Sequence, residues 1–338
     1  MHPKPRLKYM RNLLYTAIIL CIFSCAREVD ESARSIEERI LKARIQTKYL
    51  DTLHKTESGL YYMIQMKGTG APVEKENFVY VRFSKLTLNE DYTETTEEKV
   101  AKQLGSYSNA TYYGPVLWIA GVNYPTEGVD EIVLTMREGD RRRIWLPSWL
   151  SSVGFQRNTQ QYTSPTIHDV EVLRVIPDID KFQIDSLESY RDKYYPGLDS
   201  LSWGFYIKTL KEGRGDTLKI GDRIELRYIG RLLDHFIFDL NIADTAKKYN
   251  IYSASNEYKV MEGECKEDVV FEMLKDDGSY GPTVKGFSKA IFNMKHGEEA
   301  VVFFHSGLGY GAEGEGHLYM APLVFYLKVE RTNFEEEN

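Results

Sequence analysis

Residues 309–317 read GYGAEGEGH, and the first six fit G-x-G-x-x-G, the glycine pattern of a dinucleotide-binding turn. Such a turn follows a strand and opens a helix at its last glycine. A strand-like run, EEAVVFFHS (298–306), does precede it. The next residues, EGEGHLYMAP (313–322), include Gly314, Gly316 and Pro322 and offer no helix. Glu313 and Glu315 would also repel a pyrophosphate. A parallel nucleotide-binding fold is therefore not expected, no nucleotide is expected as ligand, and the glycines are left to shape a loop.

Around this loop the apolar residues alternate. RIELRYIG (223–230) points Ile224, Leu226 and Tyr228 one way and Arg223, Glu225 and Arg227 the other. PLVFYLKVE (322–330) sets Leu323, Phe325, Leu327 and Val329 on one face, and FVYVRFS (78–84) does the same with Val79, Val81 and Phe83. A period of two predicts antiparallel strands with one face on a core. GFSKAIFNM (286–294) predicts one short helix between them. The fold class is α+β, a curved antiparallel sheet gripping a single helix.

The chain carries this plan twice. A shift of 145 lays residues 59–113 over 204–258 without a gap and with eleven identities, among them Gly59, Arg82 and Tyr113 over Gly204, Arg227 and Tyr258. After an insertion in the second copy, a shift of 158 lays GVDEIVLTMREGDRRRIWLPS (128–148) over GFSKAIFNMKHGEEAVVFFHS (286–306). SPTIHDVEV (164–172) then pairs with APLVFYLKV (321–329). A helical segment precedes each copy. SIEERILKARIQTKYLDTL (35–53) sets Ile36, Ile40, Leu41, Ile45, Tyr49 and Leu53 on one stripe, and DIDKFQIDSLESYRDKY (178–194) does so less cleanly. Both read as packing or spacer helices.

The second copy resembles the FKBP-type peptidyl-prolyl cis-trans isomerases. The resemblance rests on RYIG with Tyr228, IFDL with Phe238 and Asp239, VKGF with Val284 and Phe287, MKHGE, GYGAEG with Tyr310, and LVF with Phe325, in that order over roughly 203–331. It implies two tandem FKBP-like domains and makes GYGAEG a flap beside a pocket. It also implies catalytic roles for Tyr228, Phe238, Asp239 and Tyr310, and substrate binding by Val284, Phe287 and Phe325. Rotation about an Xaa-Pro bond crosses a barrier of about 18–20 kcal/mol. Its twisted transition state is less polar around C–N, so a dry aromatic seat for the proline ring favours it with no nucleophile, metal or other cofactor. Tyr310 would hold a substrate carbonyl, and Asp239 with Tyr228 would make a polar wall.

Some stations depart from the family. Leu240 and Asn241 follow Phe-Asp where small residues are usual, Phe287 replaces a tryptophan, and about 26 extra residues lie between Phe238 and Phe287. In the first copy Phe83, Thr93, Glu94, Val129 and His168 stand where Tyr228, Phe238, Asp239, Phe287 and Phe325 do in the second. The framework persists there and the aromatic pocket is expected to be dismantled, which makes this copy a structural or docking module. Two readings stay open for the whole chain: a prolyl isomerase active through its second copy, or a scaffold that holds polypeptide clients or a partner.

The N-terminus and the composition bound the setting. MHPKPRLKYMRN (1–12) carries four positive charges, LLYTAIILCIF (13–23) is too short to span a bilayer, and IFSC (22–25) comes next. This resembles the signal and lipobox of bacterial lipoproteins, which implies lipid on Cys25 and a place in the cell envelope, outer membrane included. Loss of those four positive charges moves the formal net charge from −7 to −11, which argues against a nucleic-acid partner. Cys265 would be left with no intramolecular disulfide partner, and the seven histidines show no metal-ligand spacing. RRR (141–143) reads as a solvated face. The expected plan is a signal peptide (1–24), a tether and helix (25–56), a degenerate domain (57–176), a helical linker (177–202), the FKBP-like domain (203–331) and an acidic tail (332–338). The expected partners are proline-containing polypeptides and, through Cys25, the membrane.

Overall fold

The computed structural model describes residues 32–49, 52–152, 164–275 and 277–332. Cys25, the signal segment and the outer part of the first copy's flap lie outside them. Two compact units make up the chain, residues 1–48 and 49–338. Of the first, helix α1 (Ala33–Tyr49) is described, with an Arg34–Glu38 ion pair one turn apart. The expected stripe runs past its end: Leu53 opens a strand, and Ile36 and Ile40 are exposed. No helix among the described residues is long and apolar enough to cross a membrane.

The second unit holds two antiparallel sheets of the same plan. The first contains β1 (Leu53–Lys55), β2 (Tyr61–Met66), β3 (Phe78–Thr87), β4 (Tyr92–Thr95), β5 (Val116–Ile119), β6 (Arg141–Leu146) and β7 (Thr166–Ile176). Their order is β1-β2-β6-β7-β3-β4, with β5 also on β3. Helices α2 (Glu98–Leu104) and α3 (Glu127–Val133) lie between the strands in sequence. Helix α4 (Ile179–Tyr194), capped by the Asp178 carboxylate on the Lys181 N–H, leads to the second sheet. That sheet contains β8 (Phe205–Lys211), β10 (Arg223–Leu232), β11 (Ile237–Leu240), β12 (Met261–Lys266), β13 (Val270–Leu274), β14 (Tyr280–Pro282), β16 (Glu299–Phe304) and β17 (Leu323–Thr332). Their order is β14-β13-β12-β10-β17-β16-β8, with β11 on β10. Helices α5 (Ala243–Lys248) and α6 (Lys285–Ile291) complete it, and β9 (Arg214–Thr217) pairs with β15 (Lys295–His296) alongside.

The sequence shifts reappear as strand register. β5 starts 145 residues before β12, and Val81 faces Val116 as Leu226 faces Met261. β6 and α3 start 158 residues before β16 and α6. Lys85 faces both Glu94 and His168, and at the same stations Gly230 faces Asp239 and Phe325. The extra residues of the second copy are the β13–β14 hairpin, which widens its sheet beyond β12.

Each sheet closes on its helix. In the second copy Ile224, Leu226, Val302, Phe304, Phe325, Leu327 and Val329 pack with Phe287, Ala290 and Ile291 of α6. In the first, Val79, Val81, Ile144, Val170 and Val172 pack with Val129, Ile132 and Val133 of α3. The continuous apolar run in β16 has a separate cause. Its alternate residues Val301 and Phe303 face outward and are covered by Leu187 and Tyr190 of α4, so both faces of the strand are buried.

Helix and sheet approach closely because α6 presents Gly286, where an added Cβ would sit 2.6 Å from the ring of fully buried Phe304. Gly128 holds the same station in α3, against Leu146. Alanine is the better helix former by about 1 kcal/mol, but a buried ring has nowhere to move. Gly286→Ala is expected to destabilise the chain by about 1–3 kcal/mol, the usual cost of overpacking, read as a lowered urea midpoint with unchanged slope.

Candidate functional site

The second copy brings all seven expected residues together. Phe325 on β17 is the centre. Its ring lies edge-to-face with Phe287 (centroids 5.2 Å) and with Phe238 (5.7 Å). Tyr228 meets Phe287 at 6.0 Å, and Tyr310 meets Phe238 at 6.4 Å, both edge-to-face. Val284, the N-cap residue of α6, packs against the same cluster half-buried. Phe287 and Phe325 are buried, Phe238 is half-buried, and Tyr310 and Asp239 are exposed at the rim. Such pairs each contribute about 0.5–1.5 kcal/mol beyond their area, so this wall is held before any ligand arrives.

One residue that sequence reasoning did not single out makes the cluster possible. A Cβ on Gly230 would lie 2.7 Å from Phe238 and 3.0 Å from Phe325, so the two rings meet over bare backbone of β10. The signal was present in RYIG, whose last letter sits on the inward face of a strand.

The rim is polar. The Tyr228 hydroxyl donates to Asp239 Oδ2 at 2.8 Å. Burial and the neighbouring Asp239 carboxylate push the Tyr228 pKa well above the usual phenol value, and the same two causes raise Tyr310. Both hydroxyls therefore stay protonated donors at neutral pH. Asp239 is itself raised, because desolvation against the cluster outweighs the Tyr228 hydroxyl and the Leu240 N–H, although the residue keeps a solvent-facing side.

The loop that opened the sequence reading folds as three short 3-10 turns, Ser306–Leu308, Gly311–Glu313 and Gly316–Leu318. Gly311 takes φ 53°, and a Cβ on Gly314 would lie 2.3 Å from the Leu318 carbonyl oxygen. The glycines turn a flap that carries Tyr310.

In the first copy the same stations are filled otherwise. Thr126 is the N-cap residue of α3, Val129 faces the core, and His168 is buried with Nε2 3.0 Å from Thr166 Oγ1. Burial, and Lys85 beside it, lower the His168 pKa to about 3, so its ring is neutral. The expected dismantling is only half of what occurs. A cavity of about 520 Å³ remains, lined by Phe83, Trp118, Tyr124, Thr126 and His168 and reached by Gly316 and His317 of the second copy's flap. Its aromatic wall comes from β5 and the loop after it, where Trp118 meets Phe83 at 5.4 Å and Tyr124 at 6.3 Å. Register arithmetic alone could not find these two rings, because Trp118 stands where the second copy has Gly263. The arginine run is a correction too. Arg141, partly exposed, pairs with Glu97, buried Arg142 with Asp140, and Arg143 with Asp169 through two bonds of 2.7 Å, so Arg142 and Arg143 are not a solvated face.

The raised Asp239 pKa fixes the sign of a pH effect. As pH climbs through the ordinary aspartate range the unfolded chain ionises first, so it binds fewer protons than the native state and stability falls. Asp239→Asn removes that contribution. The stability difference, wild type minus variant, is expected to decline as pH rises from about 3 through the raised native pKa, measured by urea titration at each pH.

Residues 215–330 match the family described as FKBP-type peptidyl-prolyl cis-trans isomerase. Among solved structures, the three FKBP domains of wheat FKBP73 align at 14% identity over 82% of this chain and 95% of that one, with a TM-score of 0.28. A peptidyl-prolyl cis-trans isomerase from Pseudomonas syringae pv. tomato aligns at 24% identity over 45% of this chain and 94% of that one, TM-score 0.30. FkpA from Escherichia coli aligns at 14% over 52% and 74%, TM-score 0.32. No curated protein sequence matches the chain. The aromatic cluster, the Tyr228–Asp239 rim and the Tyr310 flap all lie inside the residues that match the FKBP-type peptidyl-prolyl cis-trans isomerase family.

Proposed function

We propose that the chain is a prolyl isomerase acting through its second copy, and that it serves exported polypeptides from a lipid anchor on Cys25 in the bacterial cell envelope. The observation that carries the catalytic part is the edge-to-face cluster of Phe238, Phe287 and Phe325 under a rim of hydroxyl donors. A proline ring seated on these rings leaves water, and the twisted amide, having lost resonance, loses less by that desolvation than the planar ground state does. Tyr310, exposed and protonated, holds the carbonyl before the proline. Asp239, fixed by Tyr228, faces the same mouth. The first copy presents Thr93, Glu94 and His168 at these stations and is assigned no turnover.

A second reading, a client-holding scaffold, is favoured by the first copy's cavity. Its lining of Phe83, Trp118 and Tyr124 beside Thr126 and His168 suits a polypeptide side chain better than a bare structural copy would need.

The deciding measurement is cis-to-trans exchange of an Xaa-Pro peptide with the full chain. Tyr310→Phe is expected to lower kcat/KM by about tenfold, and Tyr310→Ala with Asp239→Ala to bring the rate near the uncatalysed one, roughly 1.4 kcal/mol per tenfold. Tyr124→Ala in the first copy is expected to leave it unchanged. A folded chain that never exceeds the uncatalysed rate sinks the isomerase reading and leaves the scaffold. The anchor is tested separately: radiolabelled palmitate fed to expressing cells is expected in the wild-type chain and absent from Cys25→Ser, and label retained in that variant overturns it.

A further inference from the structure

Helix α4 reads from the sequence as a spacer, yet it touches the flap. Its buried stripe is Gln183, Leu187 and Tyr190. The last two cover the outer face of the second sheet, while Gln183, 1% exposed, sits at the flap's base. Its Oε1 accepts the Ser306 N–H at 2.9 Å, and its Nε2 donates to the Met320 carbonyl at 2.9 Å. Ser306 and Met320 are the two ends of the flap, and Tyr310 lies between them.

We propose that Gln183 is a positioning residue of the isomerase site, a clamp that joins both ends of the flap so that Tyr310 is held against Phe238. The role given to Tyr310 rests on the isomerase reading; the clamp itself does not. A carboxamide is the group this place requires, because it offers an acceptor and a donor on one rigid plane. Glutamate would satisfy Ser306 and leave the Met320 carbonyl facing a second acceptor. Leucine would fill the space and leave both backbone groups without a partner, at a cost comparable to the lost bonds. Inside the clamp the flap is tied to itself: Gly309 N–H donates to the Ser306 carbonyl and Met320 N–H to the Gly311 carbonyl. Its far side leans on the first copy, with His317 5.0 Å from Tyr112 and Tyr319 6.5 Å from Phe78. Next to the clamp, Asp180 Oδ1 lies 3.2 Å from His305 Nε2, one helical turn before Gln183. The linker helix and the first copy thus belong to the environment of Tyr310.

The test uses the full chain with Gln183→Leu and Gln183→Glu. Amide hydrogen exchange is expected to rise about tenfold across 307–319 in Gln183→Leu, and by less in Gln183→Glu, while the amides of β16 and β17 keep their protection. In the peptide assay Gln183→Leu is expected to lower kcat/KM about tenfold in the wild-type background but less than twofold when Tyr310 is already Phe, because the two residues act through one contact. Unchanged flap exchange, exchange rising equally in β16 and β17, or strictly additive losses with Tyr310→Phe would each overturn the clamp. Should the wild-type chain prove inactive, the isomerase reading falls and the exchange experiment alone still decides the clamp.

Discussion

Everything at the candidate site depends on an absence, the missing side chain at Gly230. β10 runs through the middle of the second sheet, and there a β-strand normally projects a side chain toward the core every second residue. With nothing at position 230, Phe238 from β11 and Phe325 from β17 close over the backbone and touch edge-to-face. Phe287 completes the set from the helix beneath. Lys85 stands at the same station in the first sheet, and no such pair of rings forms there. Glycine at this station in one copy and lysine in the other, together with Thr93 and His168 in place of Phe238 and Phe325, separate an aromatic seat from a mixed cavity.

The two copies show how far a framework and its contents can part. Register is kept station by station, since period-two alternation locks each strand's faces and a slip of one residue would turn its core side to water. The linings are free to change because they ride on that register without setting it. Thr126 and Val284 both cap their helices, one through a side-chain hydroxyl that accepts the Val129 N–H and the other through backbone geometry alone. In the first copy the aromatic wall has moved from the ends of β4 and β7 to β5 and the loop behind it.

The sequence carried the fold well where a physical period carried the information. Strand alternation, the short helix and the duplicated order of elements all follow from apolar spacing, and Asp239 and Phe325 face Gly230 at the stations that Glu94 and His168 hold against Lys85. Long-range side-chain chemistry was less legible. Nothing in the sequence singled out Gln183, because its partners are backbone groups more than 120 residues away, and a backbone N–H or carbonyl leaves no mark in a sequence. The arginine run misled for a related reason. Two of its acidic partners, Glu97 and Asp169, lie 44 and 26 residues away, so those charges cancel only in the fold.

The matched register of the two sheets bears on how the chain assembles. Two copies of one topology in one polypeptide offer each last strand two possible homes, β3 or β10, and exchange between neighbouring copies is a characteristic failure of repeated domains. Here the wrong choice is penalised at the central pair. β17 laid on β3 would press Phe325 against the Lys85 station, and β7 laid on β10 would bring a neutral, buried imidazole to the gap that two phenyl rings fill. The divergence that gives the copies different pockets also lets each sheet reject the other's closing strand.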